Sequence, residues 1–386
     1  YFSPEHPVVH VLDASRSVTV VQNLLDKRSS TRDPYVEEVQ ELYEDMREEY
    51  YESLVDRSYL SLEKARAKKC VIDFDAKPPV APATLGVVAV ECPIADLIPF
   101  IDWNPFFSVW ELRGKYPNRG YPKIFDDADA GEEARKLFDE AQAMLKRIVE
   151  EGWLKARGVS GIFPAASTGD DVKVFTDEAR SETAATFFGL RQQAEKVSEE
   201  PYVALGDFIA PEGGPHKDYI GAFAVAVHGA STWSAKFDED GDDYNKIMVL
   251  ALADRLAEAF AEKIHMDMRQ KTWAYAADEG LSAEDLLKIK YDGIRPAPGY
   301  PSQPDHTEKR AMWDLLKPTE AAGIELTDSL AMHPAAAVSA LVFAHPDSYY
   351  FATDKVTKEQ VTDYAARKGM DLPEVEKWLQ PTLAYD

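Results

Sequence analysis

The spacing of apolar residues separates helical from extended segments along most of the chain. Apolar positions recur every three or four residues in segments that predict helices over 33–54, 131–152, 243–270, 357–369 and 372–379. Short alternating or continuous apolar runs predict strands at 170–175, 218–228, 339–344 and 348–353, the last two as a hairpin. Because strands and helices follow one another in no regular βαβ order, the pattern favours an α+β fold with a mainly antiparallel sheet.

The ends of two predicted helices carry recognisable signals. Asp33 followed by Pro34 predicts an N-cap and first-turn pair, and Gly152 predicts the end of the helix that begins near residue 131. In the long helix over 243–270, six apolar positions are expected to face the core, namely Ile247, Leu250, Leu256, Phe260, Ile264 and Met268.

The beginning of the chain differs from the rest. Pro7–Leu12 predicts a strand, and a helix follows with Val18, Val21 and Leu25 on its apolar face. A single βα unit cannot bury itself, so we expect residues 1–30 to be the last edge of another domain and the chain to be part of a longer protein. Residues 31–84, an acidic helix followed by a proline-rich stretch, predict a linker, and residues 85–386 one large domain.

Charge and cysteine content narrow the class of protein. The formal net charge is −25, which disfavours nucleic acid and anionic membrane surfaces as partners, because both need a basic face. The two cysteines, Cys70 and Cys92, form no C-x-x-C pair, which is typical of a reducing compartment and indicates a cytoplasmic protein. No apolar run is long enough to predict a transmembrane helix.

Common catalytic motifs are missing from the sequence. It contains neither G-x-G-x-x-G nor G-x-x-x-x-G-K-[ST]. The acidic run Asp238–Asp243 has its glycine at the wrong position for a calcium loop and predicts a solvated turn and helix start. Glu262 and His265 form a single E-x-x-H, whereas a di-iron bundle needs two, so His265 is expected to be an ordinary helix residue.

Two segments have sequence features that packing in a hydrophobic core does not explain. The first, Gly293–Lys309 with the sequence GIRPAPGYPSQPDHTEK, is stiffened by four prolines and is called the proline ribbon below. The second surrounds Asp102 with aromatic residues in FIDWNPFF. The aromatic rings predict core packing, most simply a core strand, but a buried aspartate needs a partner such as a cationic ligand group.

A resemblance to a known family emerges from longer motifs. They are FIDWNPFF, LRGKYPNRGYPKIF, GLRQQAEK, DDYNKIMV, ALADRLAEAFAEKIH, the proline ribbon, VSALVFAHPDSYYF and EVEKWLQPTLAYD. In this order they resemble the C-terminal activation domain of cobalamin-dependent methionine synthase over residues 85–386. The opening VVHVLDASRSVTVVQNLLD resembles the last strand and helix of that enzyme's cobalamin-binding domain.

The resemblance implies a reactivation function. The family enzyme transfers a methyl group from methyltetrahydrofolate to homocysteine through cobalamin. When the cobalamin oxidises, the activation domain supplies S-adenosylmethionine, and a flavodoxin-like or flavoprotein reductase supplies an electron. The implied partners are therefore this reductase and the cobalamin-binding domain of the same enzyme. A second hypothesis is a non-catalytic module that senses S-adenosylmethionine and docks the reductase.

The resemblance also implies site residues. Arg295, Gly299 and Tyr300 match the family's R-x-x-x-G-Y motif, in which the arginine pairs with the ligand carboxylate, although Arg295 could instead brace the ribbon. Tyr300 is either a wall of the ligand site or a contact to the corrin.

Further positions match by resemblance, each with a plainer structural alternative. Asp102 and Glu258 match positions that meet positive or hydrogen-donating groups of the ligand, and Glu258 could instead be a solvated helix residue. Tyr350 and Phe351 match positions on the adenine side of the ligand site, or they are packing residues of a strand. Ala14 matches a cobalamin-lining position. Asp254 matches a contact of the cobalt-ligating histidine, but a salt bridge within its helix is the favoured interpretation.

The sequence departs from the complete enzyme in two respects. The D-x-H-x-x-G motif that supplies the lower cobalt ligand is absent, and so is the cysteine-rich zinc site that activates homocysteine. This polypeptide alone is therefore not expected to make methionine, to hold a metal or to contain a catalytic residue of its own.

Overall fold

The computed structural model describes residues 7–11, 14–26, 28–55 and 58–385. The α-helices are α1 Ala14–Leu25, α2 Ser29–Val55, α3 Leu62–Ala67, α4 Ile94–Leu97, α5 Trp103–Val109, α6 Gly131–Glu151, α7 Ala230–Glu239, α8 Asp243–Asp267, α9 Ala283–Leu287, α10 Glu308–Leu316, α11 Pro318–Ala322, α12 Lys358–Lys368 and α13 Leu372–Leu379. The strands are β1 Gly86–Cys92, β2 Lys155–Thr168, β3 Asp171–Phe175, β4 Thr183–Phe187, β5 Asp218–His228, β6 Glu325–Leu326, β7 Met332–His333 and β8 Ala337–Val342.

One six-stranded sheet organises the domain. Its order is β4-β3-β2-β5-β8, and every ladder is antiparallel. The long strand β2 pairs with β5 over residues 155–165, while its other edge pairs first with β1 and then with β3. The α+β class with a mainly antiparallel sheet, predicted from the sequence, is confirmed.

Helices cover both faces of this sheet, which explains why β5 reads as an unbroken apolar run. Phe223, Val225 and Val227 of β5 pack with α6 and α8 in one core. Ala222 and Ala224 point the other way, into a second core with α10 and α11. The sheet is therefore the middle layer of three, and β8 lies at its edge.

Several local predictions hold. Helix α6 ends at Gly152, whose φ of +68° is the left-handed conformation that favours glycine. The acidic run joins the end of α7 to α8 through a turn at residues 240–241, and Asp242 caps α8 by accepting a hydrogen bond from the Asn245 backbone N–H at 3.1 Å. The last turn of the predicted 243–270 helix continues as a π-helix over Met268–Thr272.

Other local predictions are wrong. Helix α2 begins at Ser29, so Asp33 and Pro34 lie inside it rather than at its start. Ile247 and Leu250 of α8 are exposed, because only one side of this helix faces the sheet. FIDWNPFF forms helix α5 instead of a core strand, since Asp102 caps a helix that begins at Trp103.

Two predicted strands do not form. Residues 348–353 form no strand, and the segment runs along the proline ribbon instead of pairing with β8. The strand predicted at Pro7–Leu12 is absent over residues 7–11, and Leu12 lies outside the described residues. The remaining part of the opening unit, helix α1, is present as predicted.

A buried ionic network fastens residues 58–84 and the C-terminal helices to the sheet. Arg191 Nε lies 2.7 Å from Asp170 Oδ1, and its two Nη atoms lie 2.7 and 2.8 Å from the carboxylate of Asp207. Arg66 of α3 donates to the other oxygen of Asp170 at 2.8 Å and also contacts Asp363 of α12. Arg191 is 1% exposed, so its charge is compensated only by these partners.

Replacement of this arginine should therefore destabilise the domain. We expect Arg191→Met to lower the free energy of unfolding by about 3–5 kcal/mol, because the buried carboxylate of Asp207 loses its ionic partner and that of Asp170 keeps only Arg66. Urea denaturation measures the effect. The control is Arg157→Met, which removes an exposed pair with Glu91 at 3.0 Å and should cost about 0–1 kcal/mol. Equal small losses in both variants would contradict the assignment of Arg191 as an anchor of the fold.

Candidate functional site

A cavity of about 570 Å³ lies between the edge of the sheet and the proline ribbon, a volume in the range of small-molecule sites. Its walls come from β5, β8, α8, the ribbon and the segment after β8. The lining residues are Phe223, Glu258, Arg295–Ser302 without Gly299, His306, Lys309, Met332, Ala337–Ala340 and Tyr350–Ala352. Apolar side chains dominate this lining, and a few charged groups converge on it.

The first half of the ribbon extends the sheet beyond β8. Ile294 and Phe343 exchange backbone hydrogen bonds of 3.0 and 2.9 Å, and Leu341 N donates to Pro296 O at 2.9 Å. Proline can occupy this outer position because it still accepts there and needs no donor. The first half of the ribbon is therefore an ordered edge of the sheet.

The second half of the ribbon folds back in a tight turn that only glycine permits. Gly299 has a φ of +97°, and its N–H donates to Gln303 O at 2.7 Å. A Cβ on Gly299 would lie 2.1 Å from Cε1 of His306, far inside van der Waals contact. Both the backbone conformation and the adjacent imidazole thus require glycine at this position.

Arg295 enters the cavity wall with most of its donors already paired. Its Nη2 lies 2.5 Å and its Nη1 3.1 Å from the two carboxylate oxygens of Glu262 on α8. Nη1 also donates to the Tyr291 hydroxyl at 2.8 Å and to Nδ1 of His265 at 3.1 Å. Arg295 therefore does brace the ribbon, as one interpretation of the sequence proposed.

Arg295 nevertheless keeps one donor edge. Nε and the second N–H of Nη2 have no partner among the described residues. In a planar guanidinium these two N–H groups point in the same direction, the geometry that binds a carboxylate through both oxygens. The bracing interpretation and the ligand-binding interpretation are thus compatible.

His265 is a buried partner of Arg295 rather than an ordinary helix residue. It is fully buried, and burial, together with the charges of Arg295 and Arg269, holds its pKa well below the ordinary value. The ring is therefore neutral, and its Nδ1 accepts from Arg295. The sequence carried a signal for this arrangement, because Glu258, Glu262 and His265 follow one another at helical spacing on α8.

Lys309 and His306 are further lining residues that sequence reasoning missed. Lys309 Nζ donates to Leu330 O at 3.0 Å and to His306 Nδ1 at 3.2 Å. Burial lowers the pKa of Lys309, and no carboxylate among the described residues pairs with it. Both residues belong to the end of the ribbon, residues 304–309, where sequence analysis named no candidate site residue.

Other predicted site residues lie around the same cavity. Glu258 and Tyr300 are exposed at its rim. The Tyr350 hydroxyl accepts a hydrogen bond of 2.9 Å from Arg295 N. Phe351 is held against the ribbon by Ser302, whose Oγ donates to Phe351 O at 2.5 Å. Glu258, Arg295, Tyr300, Tyr350 and Phe351 therefore share one cavity, with Gly299 in the turn beside it.

Asp102 lies outside the cavity lining and is not buried among the aromatic rings, contrary to expectation. Its Oδ1 accepts from the N–H of Asn104 at 3.0 Å and from the Asn104 amide at 2.9 Å, so it caps α5. Oδ2 accepts no hydrogen bond from the described residues. Helix α5, which Asp102 caps, packs on α8, the helix that carries Glu258.

Two predicted residues have no assigned contact. Asp254 is exposed on α8 one turn before Glu258, and burial of part of its carboxyl raises its pKa. The expected helix salt bridge is absent, since Asp254 forms no ion pair with any described residue. Ala14 is the first residue of α1, and its side chain lies outside the described part of the structure.

The described residues contain no group of three or more His, Cys, Asp or Glu side chains that could hold a metal ion. Among the described helices, none combines the length and apolar character needed to cross a bilayer. The site is therefore characterised by its cavity and its convergent charged groups.

Two comparisons with known proteins identify the family of this chain. Residues 93–369 match the family model described as vitamin B12 dependent methionine synthase, activation domain. A crystal structure of the MetH reactivation domain bound to AdoHcy is 46% identical, with a TM-score of 0.81, and the match covers 85% of this chain and 99% of that one. This chain belongs to the activation-domain family of vitamin B12-dependent methionine synthase and is part of a methyltransferase.

Proposed function

We propose that the cavity beside the proline ribbon binds S-adenosylmethionine and presents its methyl group for the reactivation of cobalamin. The observation that carries this proposal is the free donor edge of Arg295 at the wall of an apolar cavity of about 570 Å³. The similar MetH reactivation domain was crystallised with AdoHcy, which has the same adenosyl and amino-acid parts as S-adenosylmethionine.

The amino-acid end of the ligand has charges that match residues near α8. Its carboxylate would bind the free edge of Arg295 through two parallel hydrogen bonds. Its ammonium and sulfonium need acidic neighbours, and Glu258 at the rim and the free Oδ2 of Asp102 are the candidates. Electrostatic attraction at partly exposed groups is modest individually, so the fit depends on several contacts acting together.

The adenosine end would lie against the apolar part of the cavity. Tyr350 and Phe351 supply an aromatic edge and the backbone N–H and C=O groups of an extended segment. Aromatic faces stack favourably on adenine. Gly299 keeps the ribbon close to this side, and Tyr300, exposed at the rim, would meet the ligand or the corrin.

The role of the chain in reactivation is mainly positioning. The methyl group would leave the sulfonium of S-adenosylmethionine for the cobalamin held by the other domain, with S-adenosylhomocysteine as the leaving group, and a flavodoxin-like or flavoprotein reductase would supply the electron that makes cobalamin nucleophilic. This chain's residues would hold the sulfonium in line and exclude water. The cobalamin-binding domain of the same enzyme would cover the cavity, with Ala14 near the cobalamin. Two free cysteines support a cytoplasmic location.

The proposal predicts a clear ligand preference for the isolated chain. We expect S-adenosylmethionine to bind with a dissociation constant of about micromolar scale, the range of ordinary small-molecule sites, and free cobalamin to bind poorly. Isothermal calorimetry with each ligand measures both values. Tight binding of cobalamin without binding of S-adenosylmethionine would refute the assignment of the cavity.

Asp102 allows a test that separates binding from folding. Asn caps helices about as well as Asp, so Asp102→Asn should leave the melting temperature of the free protein nearly unchanged. Loss of a charged hydrogen-bond acceptor should weaken S-adenosylmethionine binding by about tenfold or more. Thermal melts with and without ligand record both effects.

The matched control for this experiment is Asp242→Asn. Asp242 caps α8 with the same pair of contacts, to a backbone N–H and to an asparagine amide, but it precedes Glu258 by sixteen residues on this helix, which at a rise of about 1.5 Å per residue places it roughly 24 Å away. This variant should bind S-adenosylmethionine as the unmodified protein does. If Asp102→Asn lowers the melting temperature and keeps its full ligand-induced shift, Asp102 serves only the fold.

A further inference from the structure

Two arginine–glutamate pairs flank one tyrosine behind the cavity. The guanidinium carbon of Arg269 lies 4.2 Å, and that of Arg295 5.5 Å, from the ring centre of Tyr291. Arg269 Nε is paired with Glu279 at 3.0 Å, as Arg295 is paired with Glu262 at 2.5 Å. The two pairs are alike in charge and burial of the acid, with side-chain exposures of 7% for Glu279 and 6% for Glu262.

The pairs differ in which edge of the guanidinium the acid takes. Glu279 binds Arg269 through Nε, and both Nη atoms of Arg269 are buried without a partner in the described structure. Glu262 instead binds both Nη atoms of Arg295. Only Arg295 contributes to the cavity lining. The edge that remains free on Arg295 is therefore the one formed by Nε and Nη2.

Glu262 fixes this orientation because it is itself held rigidly. It lies near the C-terminal end of α8, is 4% exposed, and receives the guanidinium together with His265 one turn later. A guanidinium rotates as a plane, so two hydrogen bonds to one carboxylate determine where its other edge points. The Arg295–Glu262 pair has no net charge, so it does not place an uncompensated positive charge near the ligand's sulfonium.

We propose that Glu262, supported by His265, is a positioning residue that turns the free edge of Arg295 toward the carboxylate of the bound ligand. This inference rests on the proposed binding of S-adenosylmethionine. Glu262 itself does not line the cavity, so it acts through Arg295. The role proposed for Glu262 and His265 gives the E-x-x-H motif of α8 a function other than metal binding.

The test compares Glu262→Gln with Glu279→Gln. A glutamine at 262 can accept from one Nη only, and its amide N–H groups oppose the other, so the guanidinium should turn away. Calorimetry uses two probes, S-adenosylmethionine and 5′-methylthioadenosine, which has the adenosyl part but no carboxylate. Thermal melts measure the stability of each variant without ligand.

We expect Glu262→Gln to bind S-adenosylmethionine about tenfold more weakly or worse and to bind methylthioadenosine within about twofold of the unmodified protein. Glu279→Gln should lose stability but keep both affinities, because Arg269 does not reach the cavity. If Glu262→Gln does not fold, the same ratio is measured in Glu262→Asp, whose carboxylate is one methylene shorter and cannot reach Arg295 without moving the guanidinium.

Two results would overturn the inference. One is unchanged binding of S-adenosylmethionine by the Glu262 variant, and the other is an equal loss of both probes, which indicates a general distortion of the cavity. Failure of the unmodified protein to bind S-adenosylmethionine would instead refute the proposed function, so the two failures are distinguishable.

Discussion

The proline ribbon depends on buried ion pairs at both of its ends. At its start, Arg295 is fixed to Glu262 of α8. At its far end, Asp305 accepts from Lys368 of α12 at 2.6 Å and from the Tyr364 hydroxyl at 2.7 Å. Between these anchors the ribbon has few backbone donors of its own, because proline has none. The shape of the cavity wall therefore depends on the two helices that hold it.

This arrangement couples the site to parts of the domain that do not touch a ligand. Helix α12 is joined through Asp363 to Arg66, and Arg66 is joined to Asp170 and hence to Arg191. Breaking a buried pair costs far more than breaking an exposed one, because a charge is left without solvent or partner. The site is thus preorganised by charge compensation in the interior as well as by apolar packing.

Much of the fold could be predicted from the sequence, because helical periodicity and continuous apolar strands are strong signals. The limits of these signals are physical. Ile247 and Leu250 fit the apolar pattern of α8 but lie on the side that the sheet does not cover. Residues 348–353 have strand-like composition, yet the ribbon already occupies the outer edge of β8 near Ile294. The apolar pattern of a segment does not show which neighbouring element is free to pack against it or pair with it.

The site was predicted less completely than the fold. The ribbon residues and Glu258 were named from a family resemblance, and the structure brings most of them to one cavity. Glu262 and Lys309 were missed, because the importance of a buried charge depends on its partner, and partners distant in sequence are not visible in a motif. Asp102 was named, but its surroundings were predicted wrongly. Its carboxylate caps helix α5 by accepting from the Asn104 N–H and is not buried among aromatic rings.

The turn at Gly299 also restricts how this site can change by mutation. Every single-base substitution that changes a glycine codon to another amino acid introduces a Cβ. At position 299 that atom would meet the ring of His306 within 2.1 Å, on a backbone with φ of +97°. Gly299 therefore cannot be replaced even by a slightly larger residue while the rest of the turn stays the same. Sequences that keep His306 and the turn must keep the glycine, and a lineage that lost it would have to rebuild both together.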